Sequence, residues 1–208
     1  VEKGDSMTRI PDSSVLILVD IQNDFCPGGS LAVKGGDEIV PVVNRLIQAF
    51  PTVVSTQDWH PAHHISFQER GGPWPPHCVQ GTRGAQLHRG IETARITNYF
   101  KKASDPDRDA YSEFEGFDAE GRPLDTYLHN RGIRRIYLVG LATDYCVRAT
   151  AIDGLRSGYE TYVVTDAVRA VNVDQNDGNK ALTEMAGLGA KLIQSSEILD
   201  AKPATQSR

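Results

Sequence analysis

The chain is constrained above all by a rhythm. Short, near-continuously apolar stretches rich in β-branched residues recur at Val15–Val19, Thr52–Ser55, Arg95–Lys101, Arg135–Leu141, Thr161–Thr165 and Lys191–Gln194. A run that is apolar at nearly every position needs cover on both faces, which is the situation of a strand inside a parallel sheet. Amphipathic stretches lie between several of them. Asp37–Phe50 sets Ile39, Val43, Leu46, Ile47 and Phe50 on one helical face, with Pro41 in the first turn, where its missing N–H costs nothing. Leu124–Asn130, Thr143–Ser157 and Asn176–Ala186 read as further helices, with Gly132, Gly158 and Gly187 or Gly189 as stops. The alternation predicts an α/β fold, a three-layer α/β/α sandwich with a mostly parallel sheet. A length of 208 residues fits one domain over 1–208, with polar tails expected to fray at 1–12 and 202–208.

Several classes drop out at once. The longest apolar run, Val15–Val19, is far short of the ~18 residues a membrane span needs, so no membrane partner is expected. The N-terminus lacks a signal pattern, which makes the cytoplasm the expected compartment. With 22 basic and 27 acidic residues the net charge is -5, and no Lys/Arg cluster offers a footprint for nucleic acid. Three widely spaced cysteines, Cys26, Cys78 and Cys146, without a CxxC pair, do not make a disulfide framework. A homo-oligomer is left open.

In an open α/β sheet ligands gather beyond the carboxyl ends of the strands, and three such places carry reactive groups. Asp20 follows the first apolar run and is placed to act as a base, the plain alternative being a turn cap. The third run ends in Lys101-Lys102, where one ammonium can face a crevice and the other solvent, the plain alternative being two solvated lysines. The fourth runs into Gly140-Leu-Ala-Thr-Asp-Tyr-Cys146, with the thiol at the start of a helix, where free N–H groups are expected to lower its pKa and to hold an oxyanion. A buried packing cysteine is the alternative.

Two connections, Gln57–Ala94 and Ala103–Pro123, exceed ordinary loops, and their Trp59, Phe67 and Trp74 would be costly in a merely solvated linker. Within the first, the stretch from Asp58 to Cys78 holds His60, His63, His64 and His77, four of the six histidines. Asp58 and His60, two apart on extended chain, point to one side, and His77 can close a divalent-cation site across the loop. No dinucleotide, P-loop or nucleophile-elbow motif is present.

Five segments in order, VLILVDIQNDFCPGGSL from Val15, STQDWHPAHHISF from Ser55, WPPHCVQGT from Trp74, KASDPDRDAYSEF from Lys102 and GLATDYCV from Gly140, resemble the nicotinamidases, also called pyrazinamidases, of the isochorismatase-like cysteine hydrolase superfamily. The resemblance spans residues 14 to about 196. It implies a catalytic triad of Asp20, Lys102 and Cys146, alignment on the following Ser-Asp-Pro selecting Lys102 although Ala103 stands where the family usually has Gly. It further implies a metal site of Asp58, His60 and His77, with His64 as an extra candidate. The ion would be one divalent cation, zinc first, with iron or manganese as alternatives. A cis peptide before Ala142 and an oxyanion hole from the Ala142 and Cys146 amides are also implied, as is a substrate slot walled by Phe25, Trp74, Tyr111 and Ala142. The substrate implied is nicotinamide, cleaved through a cysteine thioester, with pyrazinamide also accepted. Cys26 and Cys78 are expected only to pack. Rival readings are another amide or carbamoyl hydrolase, an isochorismatase, a catalytically silent binding module and a redox sensor using Cys146.

Overall fold

The structure is a computed structural model that describes residues 10–200. Six strands form one sheet: β1 (Ser14–Val19), β2 (Thr52–Asp58), β3 (Asn98–Lys102), β4 (Arg135–Leu141), β5 (Glu160–Arg169) and β6 (Lys191–Ile193), in the order β3-β2-β1-β4-β5-β6. Every pairing is parallel. Strand β1 shows why. Its residues are all buried and alternate between two cores, Leu16 and Leu18 facing one and Val15, Ile17 and Val19 the other. Helices α1 (Val40–Ala49) and α5 (Ser195–Leu199) cover the first face, while α2 (Leu124–Asn130), α3 (Arg148–Arg156) and α4 (Asp177–Gly187) cover the second. No helix among the described residues is long and apolar enough to cross a membrane.

Several boundaries differ from the sequence expectation, each for a physical reason. β2 continues through Gln57 and Asp58, polar residues paired with Lys101 and Lys102, so the long loop begins after them. β3 starts at Asn98 because Arg95 lies in a short 3-10 turn, bonded through its side chain to the Ile47 and Phe50 carbonyls. β5 runs on to Arg169 past a register shift against Leu138 and Gly140. Gly140 sits at φ +122°, and a Cβ there would lie 2.0 Å from the Val19 carbonyl oxygen, so β1 and β4 touch in a way only glycine allows. Residues 36–39 form a 3-10 turn ahead of α1. The helix expected over Thr143–Ser157 opens as a π-helical turn, Thr143–Val147, before α3. The tails expected to fray lie outside the described residues except at 10–12, where Ile10 packs on the core and the Pro11 carbonyl accepts from the Ser14 amide.

Candidate active site and metal centre

The strand order reverses between β1 and β4, so a crevice opens beyond their carboxyl ends. Asp20 leaves β1 there, Asp58 closes β2, Lys102 closes β3 opposite it in register, and Cys146 follows β4. Lys102 joins them. Its wholly buried ammonium donates to Asp20 Oδ2 at 2.8 Å, to Asp58 Oδ1, and to Cys146 Sγ at 3.5 Å. Lys101, its neighbour on the pleat, is exposed and lies 3.5 Å above the Trp59 ring; the alternation of strand side chains separates the two lysines that the sequence left open. The Asp20, Asp58 and Cys146 side chains each place one atom within 4.8 Å of the others.

Burial raises the Asp20 carboxyl, against the opposing Lys102. Asp58 is also buried, yet the Lys102 ammonium outweighs that cost and holds it below its ordinary range. Burial disfavours a charged Lys102, but the surrounding carboxylates win and its pKa rises well above normal. The thiol differs from the expectation: burial pushes Cys146 well above the usual range, with Lys102 pulling the other way. Three residues into a π-helical turn and cut off from solvent, it gains too little from the helix start to offset desolvation. Cys26 and Cys78 are buried; burial pushes the first to about 11 and the second well up.

The segment leaving β4 folds back on itself. The Leu141–Ala142 peptide is cis, and the Ala142 carbonyl accepts from both the Tyr145 and Val147 amides at 3.1 Å. Thr150 on α3 donates to the Cys146 carbonyl at 2.7 Å.

Beside this cluster stand Asp58, His60 and His77, all buried, with Asp58 Oδ2 lying 4.0 Å from His60 Nε2 and 3.9 Å from His77 Nε2. The rings are oriented from behind. His60 Nδ1 meets the His77 carbonyl at 3.0 Å and His77 Nδ1 meets the Pro75 carbonyl at 2.8 Å. Only a protonated nitrogen bonds a carbonyl, so both Nε2 atoms turn lone pairs toward Asp58, the tautomer a metal ligand needs. Burial holds His60 at about 4, so it stays neutral at ordinary pH. Two imidazole nitrogens and a carboxylate oxygen suit a borderline divalent cation. The His64 ring lies tilted at 45° against His60, 4.3 Å between ring centroids, while its Nδ1 faces Ser66 Oγ at 2.7 Å and its Nε2 the Arg108 carbonyl at 3.0 Å. His63 lies on the surface against Glu69.

The aromatic candidates fall into two groups. Trp74 donates to the Tyr111 hydroxyl at 3.0 Å, and both rings lean on Tyr145, next to Cys146. Phe25 packs on His77 at 5.5 Å. Two contributors escaped the sequence reading. Gln22 clamps both sides of the Asp58 backbone, its Oε1 accepting from the Asp58 amide and its Nε2 donating to the Asp58 carbonyl; its place two residues after Asp20 was the only signal. Glu113, wholly buried, lies 3.6 Å from Lys102 Nζ, and nothing in its loop context marked it.

A three-layer α/β fold whose switch point buries a thiol, an ammonium and carboxylates side by side defines the class: an α/β enzyme with its site beyond the strand ends. Residues 14–197 match the family model described as the Isochorismatase domain, and the chain belongs to that family. It is similar to the nicotinamidase of Escherichia coli (strain K12), 43% identical over 199 residues that cover 85% of this chain and 92% of that protein. Among solved structures it is similar to PnC1 from L. infantum in complex with nicotinate, with a TM-score of 0.84 and 40% identity over 91% of this chain and 96% of that one. The pyrazinamidase of Pyrococcus horikoshii in complex with zinc gives a TM-score of 0.79 and 46% identity over 88% of this chain and 99% of that one.

Proposed function

We propose that the protein is a nicotinamidase that hydrolyses nicotinamide to nicotinate and ammonia through a thioester on Cys146, and that it also accepts pyrazinamide. The whole chain acts as one catalytic domain. The observation that carries this reading is the Lys102 ammonium bonded at once to Asp20, Asp58 and Cys146 inside a buried crevice. The similarity to proteins named for nicotinamide and pyrazinamide hydrolysis supplies the substrate.

With its pKa raised, the thiol rests protonated and needs a base at the moment of attack. Asp20 fits, because burial makes its carboxylate a stronger base than a free one. It takes the thiol proton as the sulfur bonds to the amide carbon. Lys102 offers an N–H to the developing thiolate, and the Ala142 and Cys146 amides receive the oxyanion, where one donor is typically worth ~3 kcal/mol. Asp20 then returns the proton to the amide nitrogen, the C–N bond breaks and ammonia leaves. Water, deprotonated by Asp20, attacks the thioester, the C–S bond breaks, and nicotinate departs as the thiol regains its proton. Phe25, Trp74, Tyr111 and Ala142 wall the ring slot. Asp58, His60 and His77 would hold one divalent ion, zinc first with iron or manganese as alternatives, which supplies a Lewis acid for the ring nitrogen of the substrate. His64 supports His60 in this arrangement.

The test is ammonia release from nicotinamide by zinc-loaded protein, before and after chelation. Turnover that chelation abolishes and zinc restores is the expected result; no release under metal-replete conditions overturns the reading.

A further inference from the structure

Lys102 has more acceptors than it can serve. An ammonium carries three N–H bonds, and Asp20 Oδ2, Asp58 Oδ1 and Cys146 Sγ engage them. A fourth acceptor, Glu113 Oε1, stands 3.6 Å from the same nitrogen. Glu113 is wholly buried and neither of its carboxyl oxygens makes a hydrogen bond, a state far more costly for a carboxylate than for a neutral acid. Its backbone is tied to the nucleophile: the Glu113 amide donates to Thr150 Oγ1 at 3.0 Å, and that hydroxyl donates to the Cys146 carbonyl. The carboxyl therefore stays at the cluster whatever its charge.

We propose that Glu113 is a positioning residue that gates the nucleophile through Lys102: as a neutral acid it leaves the third N–H to the Cys146 sulfur, and as a carboxylate it draws that N–H away. This rests on the reading of Cys146 as the nucleophile. The charged and titratable groups around Glu113 are Lys102 on β3, Asp58 on β2, Asp20 beyond β1 and Cys146 ahead of α3. The Thr56 hydroxyl favours its ionised form without reaching hydrogen-bond geometry. α2 adds Tyr127, whose hydroxyl is bonded to Thr97, and on Glu113's own turn Glu115 is paired with Arg108.

Burial, with Asp20 and Asp58 adding to it and Lys102 opposing, pushes the Glu113 carboxyl well above the ordinary range. The gate is thus open on the acid side of that raised pKa and closes as pH rises through it. Glu113 then gives its proton to solvent, and the Lys102 N–H turns from Sγ to Oε1. An ionised Glu113 also raises the thiol's pKa, so the sulfur keeps its proton to higher pH.

Glu113→Gln keeps the shape and cannot ionise. Zinc-loaded wild type and E113Q are compared from about pH 6 to about pH 10 by kcat/KM for ammonia release and by the rate of Cys146 alkylation with iodoacetamide, read by peptide mass. In profiles normalised to their own maxima, E113Q should hold activity about one pH unit further into the alkaline range, and its alkylation curve should rise at lower pH. Superimposed profiles of both kinds overturn the gate. Should E113Q not fold, Glu113→Ala gives the same comparison. If wild type releases no ammonia while the alkylation curves separate, the substrate reading fails and the gate stands; ammonia release with coincident curves sinks the gate alone.

Discussion

Asp20 answers two opposed demands. It must be ionised to accept a proton, yet it lies in a site that disfavours charge; the Lys102 ammonium at 2.8 Å reconciles them. Its backbone sits at φ 45°, a left-handed conformation that Asn tolerates as readily as Asp. Asp20→Asn should therefore keep the backbone, but it removes a charge facing the buried Lys102, so it should fold with a lowered melting temperature and lose about 10² to 10⁴-fold in kcat/KM for nicotinamide, the usual worth of a positioned base. Activity within a few fold of wild type would remove Asp20 from the mechanism. At this scale the sequence was only partly legible. Asp20 and Cys146 stood out because each follows an apolar run, and the histidines because they cluster. Lys102 needed the resemblance, since spacing alone does not say which of two adjacent lysines faces inward. The raised thiol pKa was not legible at all: it depends on burial by residues distant in sequence, and a motif carries no burial.

Elements were readable in proportion to how apolar they are. β4 and α2 match their expected bounds, an apolar run from Ile136 to Leu141 filling the first and Leu124, Tyr127 and Leu128 making the buried face of the second. β2 was cut short because its last residues, Gln57 and Asp58, are polar and pair only with a strand forty residues away. The π-helical turn before α3 left no trace in periodicity, being one turn long. Gly140 is the element-level feature on which the site depends, since the close approach of β4 to Val19 sets where the chain carrying Cys146 leaves the sheet. Gly140→Ala combines a disfavoured φ with a clash against backbone that cannot step aside. It should cost about 1–3 kcal/mol or more of stability, read as a lowered urea midpoint. A midpoint equal to wild type would show that the two strands have slack between them.

Across the whole molecule, sheet order does the assembling. With β1 and β4 adjacent at the centre and β2 and β3 stacked outward from β1, four chain segments far apart in sequence deliver an acid, a metal-type carboxylate, an ammonium and a thiol to one crevice. The three-layer architecture was legible from apolar rhythm alone. The strand order was not, because which buried strands become neighbours is decided by packing across the sheet rather than within any run. Long loops complete the arrangement, residues 59–97 carrying His60 and His77 and the segment after Lys102 carrying Tyr111 and Glu113. The central claim is that Cys146 carries the acyl group during turnover. Rapid quenching of zinc-loaded protein with nicotinamide, followed by intact-mass and peptide mapping, tests it most directly: a nicotinoyl adduct on Cys146, absent from Cys146→Ala, is expected, whereas ammonia released by the Cys146→Ala protein at the wild-type rate would contradict it.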